Sequence, residues 1–175
     1  GGNVAMDAAR CAKRLGAEEV YIVYRRSEAE LPARAEEVEH AKEEGIIFKT
    51  LTNPVAILPG EDKSVASIRC LKMELGEPDD SGRRRPIPVE GSEFEIPVDT
   101  VVMSIGTSPN PLIKSTTAGL ETTRKGGLVA DETGKTTREG VYAGGDAVTG
   151  SATVILAMGA GKEAAHSIDE YIKSK

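Results

Sequence analysis

Gly1-Gly2-Asn3-Val4-Ala5-Met6-Asp7-Ala8-Ala9-Arg10 opens the chain, Glu19-Val20-Tyr21-Ile22-Val23-Tyr24-Arg25-Arg26 follows it, and the order of these two stretches decides the fold. From Asn3 to Leu15, the apolar residues Val4, Ala5, Ala8, Ala12 and Leu15 recur at helical spacing, and Gly16 stands where a left-handed C-terminal cap belongs. Residues 19–24 form a β-branched and aromatic run of strand length, hydrophobic almost throughout, as suits a parallel strand buried on both faces. A helix leading into such a strand is the second half of a βαβ unit.

Downstream the alternation continues once and then stops. Ala33 to Glu44 carries Ala35, Val38 and Ala41 on one face and acids on the other, ending at Gly45, which predicts a surface helix. Ile46 to Leu51 is the next strand, reached by a crossover expected to be right-handed and parallel. Residues 55–58, 65–75 and 94–96 then read as strands with no room for helices between them, broken by Glu77-Pro78-Asp79-Asp80-Ser81-Gly82. This predicts an antiparallel meander, with Arg83-Arg84-Arg85 as a solvated hairpin tip. Asp99 to Ile105 reads as a further buried strand ended by Gly106, and 128–129 and 141–143 as short strands. Thr153 to about Ile172 reads as a helix with a long apolar face. The expected architecture is a three-layer α/β core over residues 1–113, with residues 114–175 as a separate partial lobe.

Composition narrows the function classes. The 22 Lys and Arg are outnumbered by 28 Asp and Glu, for a formal charge of -6. That balance argues against nucleic acid and against an anionic membrane surface as partners. No apolar run approaches the ~20 residues that span a bilayer, and no basic stretch followed by an apolar one opens the chain, so a cytoplasmic location is expected. Cys11 and Cys70 lie too far apart for a CxxC pair or a metal-ligand set and are expected to be free thiols. His40 and His166 have no Ser, Cys or Asp placed to form a nucleophilic relay, and Asp7 with Arg10 is expected to be a surface pair. No catalytic residue and no metal ligand is assigned.

Two constellations carry chemistry. In the G-x-G-x-x-G/A fingerprint the second glycine lets backbone approach a pyrophosphate and the third small residue lets helix and strand pack closely. Gly1 and Gly2 open this helix, with Gly2 and Ala5 filling those two places; the fingerprint's first glycine and its strand would lie upstream of residue 1. An ordinary glycine-rich helix start reads the same way. Arg25-Arg26, at the end of the following strand, is what separates the two readings. An acid there binds the ribose 2′-hydroxyl of NAD, whereas the 2′-phosphate of NADP calls for positive charge, which Arg supplies with a two-pronged donor. Ser27 adds a hydroxyl, Glu28 and Glu30 weaken the local field, and the alternative is a pair of solvated arginines. The second constellation is Val141-Tyr142-Ala143-Gly144-Gly145-Asp146 followed by Ala152-Thr153-Val154-Ile155-Leu156-Ala157 at a helix start. An Asp there accepts from sugar-type hydroxyls, and free amides at Thr153 and Val154 face negative charge such as that on a reduced flavin's N1/C2=O edge.

Gly-Gly-Asn-Val-Ala-Met-Asp (1–7), Tyr-Arg-Arg-Ser (24–27), Ser-Ile-Gly-Thr-Ser-Pro-Asn (104–110) and Gly-Gly-Asp-Ala-Val-Thr-Gly-Ser-Ala-Thr-Val-Ile (144–155) together resemble the small (beta) subunit family of NADPH-dependent glutamate synthase. This resemblance covers nearly the whole chain. It implies a Rossmann-like dinucleotide-binding core with an inserted antiparallel β-meander over 1–113, and the C-terminal part of a FAD-binding domain over 114–175. It implies that Gly1, Gly2, Asn3, Val4, Arg25, Arg26 and Ser27 bind NADP(H), and that Gly106 lies near the nicotinamide end. Gly145, Asp146, Ala152, Thr153 and Val154 would bind FAD in the intact protein. Members of this family carry an iron-sulfur segment and the first half of the FAD site upstream, so this chain is expected to hold only the exit of that site. The implied activity is hydride transfer from NADPH to FAD, feeding electrons to iron-sulfur centres and the glutamate synthase large subunit or another acceptor. A self-standing NADP-dependent dehydrogenase with a substrate pocket in the meander, and a non-catalytic nucleotide-binding fragment, are the competing readings.

Overall fold

A computed structural model of the chain describes residues 1–80 and 82–175; Ser81, part of the turn read at 77–82, lies outside the described residues. The chain divides into two compact units, Gly1–Gly106 and Thr107–Lys175. The division falls earlier than the 113/114 boundary read from the sequence. Residues 107–113 go with the second unit, where Asn110 starts a short helix by accepting the Leu112 amide proton at 3.0 Å.

In the first unit, α1 (Asn3–Arg14) ends where Gly16 takes a φ of 103°. Gly16 N–H donates to the Lys13 carbonyl at 3.1 Å and Ala17 N–H to that of Ala12 at 3.2 Å, which closes the last turn as a Schellman cap. After β1 (Tyr21–Val23), α2 (Ala35–Glu43) ends the same way at Gly45, with a φ of 78°. The chain returns as β2 (Ile47–Lys49), which pairs with β1 in parallel, Tyr21 opposite Ile47. Both strands are shorter than their hydrophobic runs because ladder pairing covers only these residues.

Side-chain alternation on β1 explains the layering. Ile22 faces Ala5, Met6 and Ala9 of α1, Val38 and Ala41 of α2, and Ile46; Met6 and Ala41 are fully buried. Tyr21 and Val23 face the other way, onto Ile68, Cys70 and Ile96. Both faces of β1 are thus covered, one by helices and the other by a sheet. Arg10 does not pair with Asp7 as expected. Its guanidinium reaches across to α2, meeting Glu37 at 3.0 Å and Glu44 at 2.9 Å, since two carboxylates on a packed neighbour offer a better partner than one on its own helix.

The covering sheet is the meander: β3 (Thr52–Pro59), β4 (Val65–Pro78), β5 (Arg84–Pro88) and β6 (Phe94–Pro97). β4 is central and pairs antiparallel with all three others. Two expectations are corrected. Arg84 and Arg85 are not a hairpin tip but part of β5, with Arg84 opposite Pro78. Residues 99–105 form no hydrogen-bonded strand, and Val102, Met103 and Ile105 are exposed by 63%, 66% and 84%. A hydrophobic run has strand propensity, but without a neighbouring backbone it gains no ladder bonds.

The second unit contains α3 (Pro111–Thr116), α4 (Asp146–Thr149) and α5 (Val154–Lys173). The strands expected at 128–129 and 141–143 are reduced to the isolated bridges Thr122–Leu128 and Lys135–Tyr142, with Ala130–Thr136 between them. The apolar face expected of α5 is also not the buried one. Ala164 is buried, while Val154, Ile155, Leu156 and Met158 are exposed. Among the described residues no helix is long and apolar enough to cross a membrane.

Candidate functional site

The start of α1 and the end of β1 meet at one edge of the first unit. Gly2 is the N-cap of α1, and its carbonyl accepts from Ala5 N–H at 3.0 Å and Met6 N–H at 3.2 Å. The amides of Asn3 and Val4 have no partner within the helix, which makes this end an electropositive one. A Cβ on Gly1 would lie 2.6 Å from the Tyr24 ring and 3.0 Å from Leu31, so only glycine lets the turn close against the strand end. Around Gly2 the nearest atom to such a Cβ is Pro32 Cγ at 3.9 Å. Asn3 Oδ1 accepts the Arg34 amide proton at 2.9 Å, tying the start of α2 to the start of α1, and Val4 is exposed.

Beyond Tyr24 the chain forms a basic loop whose charges are unequally committed. The Tyr24 hydroxyl donates to the Glu30 carbonyl at 2.8 Å. Arg26 is only 6% exposed: its Nη2 donates to Asp79 at 2.5 Å and its Nε to the Arg84 carbonyl at 2.8 Å. The Ser27 hydroxyl donates to the Glu30 carboxylate, Ser27 N–H donates to the same carboxylate at 3.2 Å, and Arg84 Nε donates to it at 2.7 Å. The Ser27 hydroxyl, followed by Arg84, holds the Glu30 carboxyl below its ordinary titration range. Lys42 pairs with Glu28 at 2.5 Å. Arg25 is exposed and, among the described residues, makes no ion pair. The sequence brought Gly1, Gly2, Asn3, Val4, Arg25, Arg26 and Ser27 together as candidates. The fold gathers them too, but commits Arg26 and Ser27 to carboxylates. Gly106, with a φ of 83°, has nothing within 4 Å of the place its Cβ would take.

The second unit has a depression of about 300 Å³ lined by Gly144, Gly145, Asp146, Ala152, Thr153, Val154, Ala157 and Gly161. All five residues read from the sequence, Gly145, Asp146, Ala152, Thr153 and Val154, are in it. A Cβ on Gly144 would come within 2.9 Å of Ala160 Cβ, and one on Gly145 within 3.1 Å of Ala157 Cβ, so the turn lies directly on α5. Gly145 also has a φ of 65°, which glycine takes without strain. The Asp146 carboxylate accepts the Ala152 amide proton at 3.3 Å through one oxygen. Thr153 caps α5, its hydroxyl accepting the Leu156 amide proton at 3.4 Å. The site therefore offers an anionic acceptor and a helix N-terminus side by side.

Gly144 and Ala157 belong to the stretch read as the second constellation but were given no binding role, and Gly161 was not singled out, although Ala157, Ala160, Gly161 and Ala164 sit at the spacing of one helix face and so mark a close approach. Asp79, Arg84 and Glu30 were read as turn, tip and field-weakening residues; nothing local signalled partners more than fifty positions away. His40 and His166 are exposed, and His166 lies 3.6 Å from Glu170. Cys11 and Cys70 are unpaired thiols, and burial pushes that of Cys70 up. Among the described residues no cluster of His, Cys, Asp and Glu is placed to hold a metal ion.

Residues 1–164 match the family described as pyridine nucleotide-disulphide oxidoreductase. The chain is 48% identical over 99% of its length to the NADP(+)-dependent formate dehydrogenase subunit beta of Moorella thermoacetica, spanning 24% of that protein. It is 43% identical over 98% of its length to the glutamate synthase [NADPH] small chain of Halomonas elongata, spanning 37% of it. It is 40% identical over 99% of its length to the NADPH-Fe(3+) oxidoreductase subunit beta of Geobacter sulfurreducens, spanning 29% of it. Among solved structures, Lactococcus lactis thioredoxin reductase aligns over the whole chain and 52% of its own, with a TM-score of 0.79 and 21% identity. T. acidophilum thioredoxin reductase aligns over 98% of this chain and 51% of its own, at a TM-score of 0.77 and 24% identity. At those identities the likeness concerns the fold.

Proposed function

Because the chain belongs to the pyridine nucleotide-disulphide oxidoreductase family, we propose that its first unit reads NADPH and its second faces a flavin, as parts of one hydride-transferring oxidoreductase. The observation that carries this reading is Arg25, an exposed guanidinium at the end of β1 that makes no ion pair among the described residues, on the edge where the Gly1-Gly2 turn opens α1. A 2′-phosphate carries close to two negative charges and suits an arginine fork. The amides of Asn3 and Val4 at the start of α1 would hold the pyrophosphate, with the open space around Gly2 admitting it. Gly106 is assigned to the nicotinamide end by the family resemblance.

The depression in the second unit fits part of a flavin site in its donor and acceptor set. Bound FAD supplies a two-electron acceptor for the hydride. Asp146 would accept from a ribitol-type hydroxyl with the oxygen not engaged by Ala152. The Thr153 and Val154 amides at the start of α5 would face negative charge, and Gly144 and Gly145 keep the wall free of side chains. Asp146 and the α5 amides bind and orient; no residue is asked to move a proton, since hydride transfer between two rings needs positioning above all.

The electrons would leave through iron-sulfur centres to a partner subunit. The relatives are named as a small chain of glutamate synthase and as beta subunits of a formate dehydrogenase and an NADPH-Fe(3+) oxidoreductase, which supports an electron-input role beside a variable partner. Titration of the chain with NADPH and NADH tests the cofactor reading. One charge-assisted contact is worth about 1.5–3 kcal/mol, so NADPH should bind roughly ten- to a hundredfold more tightly. Arg25→Ala should bring the two within about twofold of each other. Equal loss of both affinities in Arg25→Ala would refute it.

A further inference from the structure

The reading above leaves the β4–β5 hairpin without a role, yet this hairpin reaches the basic loop at two points. Asp79 carries the buried end of Arg26, and the Arg84 backbone takes its other donor. The Arg84 side chain then crosses to Glu30, which in turn holds both the hydroxyl and the amide of Ser27. The loop from Arg25 to Glu30 is therefore pinned at its start through Arg26 and at its end through Glu30, both times by hairpin residues more than fifty positions away.

The hairpin is itself well set for this. Pro78 pairs with Arg84 across the two strands, Asp79 N–H donates to the Arg83 carbonyl at 2.7 Å, and Gly82 N–H donates to that of Asp79 at 2.8 Å. The loop is also held by backbone bonds, Tyr24 N–H donating to Lys49 O at 3.0 Å and Leu51 N–H to Arg26 O at 2.9 Å, and by the Tyr24 hydroxyl and Lys42, which reach Glu30 O and Glu28. Arg25 thus projects from between two residues whose backbones are fixed, and its neighbour's charge is already neutralised inside the protein. An arginine cannot shed its proton on burial, so a buried Arg26 without Asp79 would carry an uncompensated charge and leave its site.

We propose that Asp79 and Arg84 are positioning residues for recognition of a 2′-phosphate: the inserted hairpin holds the Arg25–Glu30 loop so that Arg25 alone points outward to meet the anion. This rests on the reading that Arg25 recognises that phosphate. It gives the meander a part in nucleotide specificity and makes Arg26 a strut instead of a second reader.

The experiment titrates the chain with 2′,5′-ADP and 5′-AMP, which differ in the 2′-phosphate alone. The unaltered chain should prefer 2′,5′-ADP, and Arg25→Ala should abolish the preference. Asp79→Ala and Arg84→Gln should each weaken 2′,5′-ADP by about tenfold, as a charge-assisted contact held out of place would, and leave 5′-AMP within about twofold. Arg84→Lys, which keeps a cation for Glu30, should recover most of the loss. Arg84→Gln leaves the backbone bond to Arg26 in place, so it reports on the loop even where Asp79→Ala fails to fold. If Arg25→Ala abolishes the preference while Asp79→Ala and Arg84→Gln keep or raise it, the positioning role is overturned and the released Arg26 is a second reader. Equal losses for both nucleotides in the hairpin variants also overturn it, as a general structural effect. If the unaltered chain shows no preference, the Arg25 reading fails and the inference falls with it.

Discussion

The two units of this chain are built on different physical terms. The first buries a contiguous set of side chains around β1, with Met6, Ala41 and Cys70 wholly removed from solvent. In the second, Leu120 and Ala164 are the buried apolar residues among those described, and its loops are joined by isolated bridges and turns. Their sites differ in the same way. The edge of the first unit is shaped by side chains locked in ion pairs, whereas the depression in the second is shaped by glycines and alanines that let backbone approach backbone. Side-chain burial makes a firm platform for a charged reader; close backbone packing makes a wall of amides with little core behind it.

The strongest way to break this contrast is Met6→Ala. Removing a fully buried side chain from the α1–β1–α2 cluster should destabilise the first unit by about 2–5 kcal/mol, read from chemical denaturation with labelling of the Cys70 thiol as the reporter. Cys11, exposed on α1, should label at once in both proteins. A loss under about 1 kcal/mol would mean that the core is not what holds this unit.

A smaller effect sharpens the other side. Gly144→Ala would place a Cβ 2.9 Å from Ala160 Cβ and 3.1 Å from its backbone, so α5 must shift. A cost of about 1–3 kcal/mol to the second unit is expected, with Ala160→Gly recovering only part of it, because backbone atoms remain in the way. Full tolerance of Gly144→Ala in thermal unfolding would show that the turn does not lie on the helix.

The mildest test concerns the first unit's surface pairs. The hydrogen bond from Arg14, and then that from Arg10, draw the Glu44 carboxyl down to about 2 from an ordinary 4.5. A depressed carboxyl contributes stability that is present above its unfolded value and is lost as pH falls through its folded one. The first unit should thus weaken between about 4.5 and about 2, and Glu44→Gln should flatten that part of the pH dependence, its cost being present at neutral pH and fading as pH falls toward about 2. An unchanged acid limb in the variant would show that these arginines do not hold the carboxylate.

Wherever structure depended on a local period or a neighbour in sequence, it was legible beforehand. The helix at 3–14, the left-handed glycines at 16 and 45, the buried strand after them and the antiparallel meander all follow from spacing and turn residues. So does the gathering of Gly145, Asp146, Ala152, Thr153 and Val154, which lie within ten positions of one another. Strand propensity failed at 99–105, because a strand is completed by a backbone on another segment. Arg25 and Arg26 were indistinguishable in sequence for a similar reason.

Sequence by itself determined the helices at 3–14 and 154–173, the meander, and that two basic residues end β1. Only tertiary structure decided that one of those arginines is a buried strut and the other an open cation. Charge is a property of the residue, but its availability depends on which distant carboxylates the fold carries to it. Asp79 is brought to Arg26, and Arg84 to Glu30, by the pairing of a hairpin whose residues hold no local mark of where they will dock.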